Sequence, residues 1–316
     1  MPKQSPHRPG DCFAAFSSPI YQSTNLPIHQ STNLPIHQST SLPNTMNILI
    51  SVDMEGISGV VAMDHVRPEH KEYERFRKLM TAEANAAIEG ALEGGATRVV
   101  VNDSHAGMTN LLIEDLHPAA ELISGSPKPL EMMQGIGPDV DAVFLIGYHG
   151  ASGAAGAVLE HTWSRRVVEA QLNGRRVGEA GLNAALAGSF GVPVVLVTGD
   201  RAVTEEARAL LGDIETVAVK EGITRTAARC IPPATAHRLV RQAAARALGR
   251  TVPPLAVPAP ITLRVVFLSA FHADMALLVP GARRVDGRTV EWTGDDMPTV
   301  YQVWVAMNAL ASTVDR

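Results

Sequence analysis

The chain has 316 residues, of which 46% are hydrophobic, so it is long enough for a two-lobed folded protein and too apolar to be wholly disordered. It carries 27 Lys and Arg against 32 Asp and Glu, which excludes the basic excess typical of nucleic-acid-binding proteins. No apolar run approaches the roughly 18 residues of a membrane-spanning helix. The two cysteines, Cys12 and Cys230, form no CxxC pair, which argues against a disulfide framework and a cysteine-built zinc site. These features predict a cytoplasmic protein with an aliphatic core.

The first 45 residues are predicted to be a disordered extension outside the fold. Residues 19–42 repeat one eight-residue unit three times (PIYQSTNL, PIHQSTNL, PIHQSTSL). Ser, Thr, Gln, Asn and Pro dominate these repeats, so little apolar surface is present to offset the entropy lost on ordering. We therefore expect residues 1–45 to be a non-native extension, with Met46 as the true start.

After Met46, short apolar runs alternate with helical patterns. The patterns predict strands at 47–52, 97–102, 142–148, 192–199 and 216–220, helices at 71–94 and 178–188, and a hairpin around Asn173-Gly174. This alternation is typical of a mostly parallel sheet with helices on both faces. It predicts an α/β catalytic domain over residues 46–250.

The C-terminal part has a different organisation. A helix at 233–250 is followed by the proline-rich segment 252–260, and then by patterns for strands at 261–268 and 283–292 and for a helix from Asp295 to about Ala311. We predict a smaller α+β domain over residues 251–316.

Polar side chains follow three strong strands of the first domain. Asp53 and Glu55 come after the first, Asp103 and His105 after the second, and His149 after the third. The carboxyl ends of parallel strands meet at one edge of a sheet, where ligands bind near the switch in strand order. A single Asp at such a position is commonly a helix cap or turn former, but their joint occurrence favours a metal site.

This set of carboxylates and imidazoles suits Zn²⁺, with Mn²⁺, Co²⁺ and Ni²⁺ left open. Glu179 opens the helix predicted at 178–188, where the helix dipole favours a carboxylate, and it could supply a fifth ligand. Asp200 is either a further site carboxylate or a turn cap.

The Gly-rich segment GASGAAG (150–156) leads to His161 in LEHTW. Its GxxGxxG spacing differs from the GxGxxG of dinucleotide-binding loops. An imidazole beside a metal site could act as base, acid or nucleophile. A hydrogen-bonded loop histidine is the alternative, and the spacing alone leaves both open.

Five segments together resemble the DppA-type D-aminopeptidase family of zinc metallopeptidases. They are SVDMEGISG (51–59), VNDSHAGMTNL (101–111), LHPAAELISG (116–125), IGYHG (146–150) and VGEAGLNA (177–184). The resemblance covers nearly all of residues 46–316. It implies two zinc ions per subunit, with Asp53 bridging both, Glu55 on one, and His105, His149 and Glu179 completing the sites. It also places His161 at the position of the family's proposed catalytic histidine.

The activity implied by the resemblance is hydrolysis of short peptides with a free N-terminal D-residue, of the D-Ala-D-Ala type. It also implies a homo-oligomeric ring, with a decamer as one expected size. The loop after His149 lacks an Arg that the family pattern leads us to expect, which bears on substrate preference. Two alternatives stay open: another binuclear-metal amide or phosphoester hydrolase, and a catalytically silent peptide-binding protein.

Overall fold

The computed structural model describes residues 45–314. Apart from Thr45, the predicted N-terminal extension therefore lies outside the described residues. The strands are β1 (Asn47–Val52), β2 (Arg98–Asp103), β3 (Ala120–Ile123), β4 (Ala142–Tyr148), β5 (Val167–Leu172), β6 (Arg175–Val177), β7 (Val194–Asp200), β8 (Glu215–Thr224), β9 (Ala227–Cys230), β10 (Ile261–Phe267), β11 (Arg283–Arg284) and β12 (Thr289–Gly294).

The larger sheet has seven strands in the order β3-β2-β1-β4-β7-β8-β9, all parallel to their neighbours except β9, which pairs antiparallel with β8. All of β4 and all of β1 beyond Asn47 is buried, as expected for apolar strands covered on both faces. Along the chain, β1, β2 and β3 are placed one after another toward one edge of the sheet, and β4, β7 and β8 are later placed toward the other edge. The strand order therefore switches between β1 and β4, where α/β sheets open a crevice at the carboxyl ends of their strands.

The helices are α1 (Tyr73–Glu93), α2 (Glu179–Ser189), α3 (Arg201–Leu211), α4 (Pro233–Ala247), α5 (Ala270–Ala276) and α6 (Met297–Ala311). Helices α1 and α4 pack against each other beside the sheet, while α2 contacts β4, β7 and α6. The predicted fold class, a mostly parallel sheet covered by helices with a smaller α+β part, is confirmed. Within residues 45–314, none of the helices is long and apolar enough to cross a membrane.

The smaller sheet has the order β11-β12-β10-β5-β6 and is antiparallel throughout. Buried and partly buried residues alternate along β10, so one face of this strand packs inward. The hairpin β5–β6 from residues 167–177 pairs with β10, which lies beyond the predicted boundary at 250/251. The domain boundary at 250/251 stays a prediction. The smaller sheet combines β5 and β6, which precede this boundary in the chain, with β10, β11 and β12, which follow it.

Four elements were not predicted, namely β3, α3, β9 and α5, and the strand predicted at 283–292 is instead two antiparallel strands, β11 and β12. Strand β3 is a short edge strand of sequence AELI with no fully buried residue, so it lacks the apolar run that marks β1 and β4. Helix α3 follows β7 without a loop, and the Asp200 carboxylate caps it by accepting a hydrogen bond from Val203 N at 2.8 Å.

Candidate metal centre

The residues predicted as metal ligands come together at the carboxyl ends of β1, β2 and β4, which are neighbours in the sheet. Asp53 follows β1 directly, His105 lies two residues after β2, and His149 follows β4 directly. Glu179 is the first residue of α2, and its carboxylate lies beside the His149 ring at the same strand ends. The predicted ligands are all buried.

One half of the cluster joins β1 to β2. His105 Nδ1 lies 2.8 Å from Glu55 Oε2 and 3.3 Å from Asp53 Oδ1. The other half joins β4 to α2. His149 Nε2 lies 3.5 Å from both Asp53 Oδ2 and Glu179 Oε2. Asp53 therefore faces both halves, one carboxylate oxygen toward each.

His161 belongs to the second half. Its Nε2 lies 3.7 Å from Glu179 Oε1, and its ring stacks on that of His149 with centroids 4.3 Å apart. Two sets of three side chains have donor atoms within 4.8 Å of one another: Asp53, Glu55 and His149, and also His149, His161 and Glu179. The geometry thus brings all six candidate residues of the sequence together.

The outer nitrogen of each histidine faces a main-chain carbonyl oxygen. His105 Nε2 lies 2.8 Å from Val66 O, His149 Nδ1 lies 3.0 Å from Gly150 O, and His161 Nδ1 lies 3.0 Å from Leu159 O. A carbonyl only accepts, so each outer nitrogen donates, and in the neutral imidazole the inner nitrogen presents a lone pair. Histidines that ligate metals are held in this way by their outer nitrogen.

A cation fits between these groups. Asp53 Oδ2, Glu55 Oε2 and His149 Nε2 are buried and form no hydrogen bond of good geometry in the described structure, although each lies 2.8–3.5 Å from another polar atom of the cluster. Such atoms are costly to leave unpaired away from water. Carboxylate oxygens and imidazole nitrogens are the non-sulfur ligands that Zn²⁺ takes in proteins.

The pKa shifts of the clustered side chains also favour a bound cation. Burial, reinforced by the neighbouring Glu55, raises the pKa of Asp53 to about 7. Burial disfavours the charged imidazole of His149, but Glu179 and Asp53 outweigh it and hold the His149 pKa well above its ordinary value. A site whose carboxylates attract positive charge this strongly also attracts a divalent cation. Burial, together with His149, lowers the pKa of His161, so this ring is neutral near pH 7.

The remaining residues of the SxDxEG segment build the turn. Ser51 Oγ lies 2.6 Å from Tyr148 OH and 2.7 Å from Ser104 Oγ, which links β1 to its neighbours on both sides. A Cβ at Gly56 would lie 1.9 Å from Tyr148 O, and Gly56 N donates to Gly147 O at 2.7 Å. Only glycine allows this close approach, which brings Glu55 against the end of β4.

Two other carboxylates of the strand ends have structural roles. Asp103 accepts hydrogen bonds from Asn110 N at 2.6 Å and Leu111 N at 2.7 Å, which holds the loop after His105. Asp200, left open between site and cap, caps α3 and also accepts from Val158 N at 2.9 Å. It thereby anchors the segment between His149 and His161.

A cavity of about 420 Å³ opens onto the cluster. Apolar side chains including Met63, Met108 and Trp163 form part of its wall, and Arg67 and Arg166 bring positive charge to it. Its volume and its partly apolar wall suit a small organic ligand rather than a folded protein.

Sequence reasoning missed Lys220 and Arg67. Lys220 on β8 is 2% exposed, and its ammonium donates to carbonyl oxygens of the turn after β1. A lysine within the apolar pattern TVAVK was a usable signal, because a buried lysine needs partners. Arg67 lies in a polar loop whose sequence gives no sign that it reaches the cavity.

Comparison with known proteins assigns the chain to a family. The Peptidase_M55 model, described as D-aminopeptidase, matches residues 46–306. The chain belongs to the D-aminopeptidase family. The D-aminopeptidase of Bacillus subtilis (strain 168) is 41% identical over 269 residues, which cover 84% of this chain and 98% of that protein. The resemblance drawn from the motifs is therefore confirmed.

A solved member of the D-aminopeptidase family shares the fold. It is the Zn-dependent D-aminopeptidase DppA from Bacillus subtilis, described as a self-compartmentalizing protease. It matches with a TM-score of 0.84 and 39% identity, over 86% of this chain and all of that one.

Proposed function

We propose that this protein is a zinc-dependent aminopeptidase that hydrolyses short peptides with a free N-terminal D-amino acid, of the D-Ala-D-Ala type. One observation carries the proposal: three buried carboxylates face inner imidazole nitrogens whose outer nitrogens donate to main-chain carbonyls. Membership of the D-aminopeptidase family supports a peptide as the substrate and a D-amino acid as its N-terminal residue.

The proposed site holds two zinc ions per subunit. Asp53 would contact both, since its two oxygens face the two halves of the cluster. Glu55 and His105 would complete one half, and His149 and Glu179 the other. Asp53 Oδ2, Glu55 Oε2 and His149 Nε2, which are buried and form no hydrogen bond of good geometry in the described structure, support this assignment.

Bound zinc would supply polarisation of the scissile carbonyl and a lowered pKa for the attacking water. His161 Nε2 is the proton acceptor in this proposal, because its Nδ1 is engaged with Leu159 O and its ring is neutral. It takes the proton of the attacking water and returns it to the leaving amine. Trp163 N donates to Glu179 Oε1 at 2.5 Å, which holds the His161 segment against the site.

We also propose that the chain assembles into a homo-oligomeric ring, a decamer being one expected size, so that only small peptides reach the site. The self-compartmentalizing relative supports this, as do the exposed apolar side chains Leu268, Phe271 and Leu278. A cytoplasmic location is supported by the low cysteine content. Light scattering on the purified chain measures the assembly.

The activity is tested with the zinc-loaded full chain on D-Ala-D-Ala and L-Ala-L-Ala, with and without chelator. We expect D-selective release of D-Ala that chelator abolishes and added zinc restores. Activity that survives complete removal of zinc would contradict the metal mechanism. Equal cleavage of both peptides would contradict the D-selectivity.

A further inference from the structure

We propose that Arg67 binds the C-terminal carboxylate of the substrate, so that the enzyme prefers free short peptides to peptides blocked at the C-terminus. This inference rests on the proposed aminopeptidase function and names a specificity-determining residue for it.

The position of Arg67 follows from the metal centre. His105 Nε2 lies 2.8 Å from Val66 O, and Val66 immediately precedes Arg67. The His105 ring contacts Glu55 on its other side, so a single imidazole separates the Val66 carbonyl from the carboxylate cluster. Arg67 also precedes Pro68, which restricts its backbone to extended conformations. The main chain at Arg67 is thereby held next to the site.

The guanidinium of Arg67 is available to bind an anion. Arg67 is partly buried and lines the 420 Å³ cavity together with Glu55, His105 and His161. Within residues 45–314, no hydrogen bond or ion pair engages its side chain. Its guanidinium is therefore available to an anion in the cavity, and a planar carboxylate is the partner its geometry matches best. The other arginine of this wall, Arg166, is already engaged in an interaction of its own.

The cavity therefore has charges of both signs on its wall. The buried carboxylates Asp53, Glu55 and Glu179 line one part of the cavity, and Arg67 also lines it. A short peptide carries an amine at one end and a carboxylate at the other. Two extended residues span at most about 7 Å, so both ends of a dipeptide can lie within one cavity of this volume.

The test compares D-Ala-D-Ala with D-Ala-D-alaninamide, which share the scissile bond and differ in the C-terminal charge. Initial rates of peptide-bond cleavage, counted as two D-Ala per cleaved D-Ala-D-Ala and one D-Ala per cleaved amide, are measured for the zinc-loaded full chain and for Arg67→Gln. We expect wild type to favour the free acid in kcat/KM by at least about 10-fold, as for a charge-assisted contact, and Arg67→Gln to lose most of that preference. Arg238→Gln is the matched control, because Arg238 is exposed on α4 and lines a different cavity.

Equal rates on both peptides in wild type would overturn the inference, as would a preference that Arg67→Gln retains. If wild type cleaves neither peptide, the proposed function fails, and calorimetric Kd values for the same two peptides then decide the inference separately. Tighter binding of the acid that depends on Arg67 supports it, whereas equal binding or no binding refutes it.

Discussion

Lys220 Nζ lies 2.6 Å from the carbonyl oxygen of Val60 and 3.0 Å from that of Ile57, and it also donates to the carbonyl oxygen of Glu55. A single ammonium thus uses its three donors on the one turn that carries Glu55. Because Lys220 lies on β8 and the turn follows β1, the contact connects the candidate metal centre to a distant strand of the same sheet. Lys220 is a positioning residue for Glu55.

Lys220→Met is expected to remove the ammonium donor from three buried carbonyl oxygens, of which that of Ile57 keeps a second donor, Val60 N at 3.1 Å. We predict a loss of at least about 2 kcal/mol in the free energy of unfolding, measured in urea, and a lower zinc affinity. Lys78→Met is the control, since Lys78 is exposed on α1. If the Lys220→Met variant binds zinc as tightly as wild type, Lys220 does not position Glu55.

Glu83 provides a pH-dependent test in the same region. It is fully buried on α1, Ser58 N donates to its Oε2 at 3.2 Å, and its Oε1 has no partner. Burial raises the pKa of Glu83 from 4.5 to about 7. The folded state therefore holds a proton that the unfolded state releases, and stability falls as the pH rises from about 4.5 to about 7.

The Glu83→Gln variant has no ionisable group at this position, so its stability should not show this loss as the pH rises. We expect its free energy of unfolding, relative to wild type, to rise by up to about 3 kcal/mol between pH 5 and pH 8. Urea unfolding with chelator present measures this without a contribution from metal binding. Glu114→Gln, at an exposed position, should follow wild type at both pH values. A constant difference between Glu83→Gln and wild type would contradict the shifted pKa.

His161→Ala separates a proton-transfer role from a ligand role. We expect turnover to drop at least about 100-fold while zinc content per chain stays at the wild-type level. Elemental analysis and D-Ala release are measured on the same preparation. Loss of one zinc ion would instead assign His161 as a ligand beside His149 and Glu179, whose donor atoms it approaches.

His105→Ala should lower the zinc content, since the variant removes the inner nitrogen that faces Glu55 and Asp53. Elemental analysis after dialysis measures the loss. His117→Ala is the matched control, because His117 Nδ1 accepts a hydrogen bond from Ala119 N within a surface turn. The ligand assignment fails if both variants retain the same zinc content.

Gly56→Ala tests why the motif requires glycine. The added Cβ would lie 1.9 Å from Tyr148 O, so the turn must move away from β4, and we expect a loss of more than about 2 kcal/mol in stability together with weaker zinc binding. Gly107→Ala is the control, because nothing lies within 4 Å of a Cβ at Gly107. Equal stabilities of the two variants in urea would refute the steric explanation.

Much of the larger sheet could be predicted from local patterns. Strands β1 and β4 were predicted with the bounds that the structure shows, because mostly apolar runs of six or seven residues are typical of buried parallel strands. The ligand cluster could be predicted for a related reason. Once the strands are parallel, residues that follow them necessarily meet at one edge.

Partners between distant elements could not be predicted. The alternation along β10 indicates a strand with one buried face, but nothing local shows that it pairs with β5, whose residues lie about ninety positions earlier. Asp200 illustrates the same limit. Its sequence context fitted both a cap and a site carboxylate, and only the positions of Val158 and Val203 showed that it anchors a loop and a helix.

The sequence by itself determined the types of most elements, the residue chemistry at the strand ends and the family, because periodicity, turn residues and short motifs are local properties of the chain. The tertiary structure decided which nitrogen of each histidine faces the carboxylates, that Lys220 holds the turn after β1, and that Arg67 reaches the cavity. These features depend on contacts between segments far apart in the chain. They are set by the packing of the whole fold, which no local pattern records.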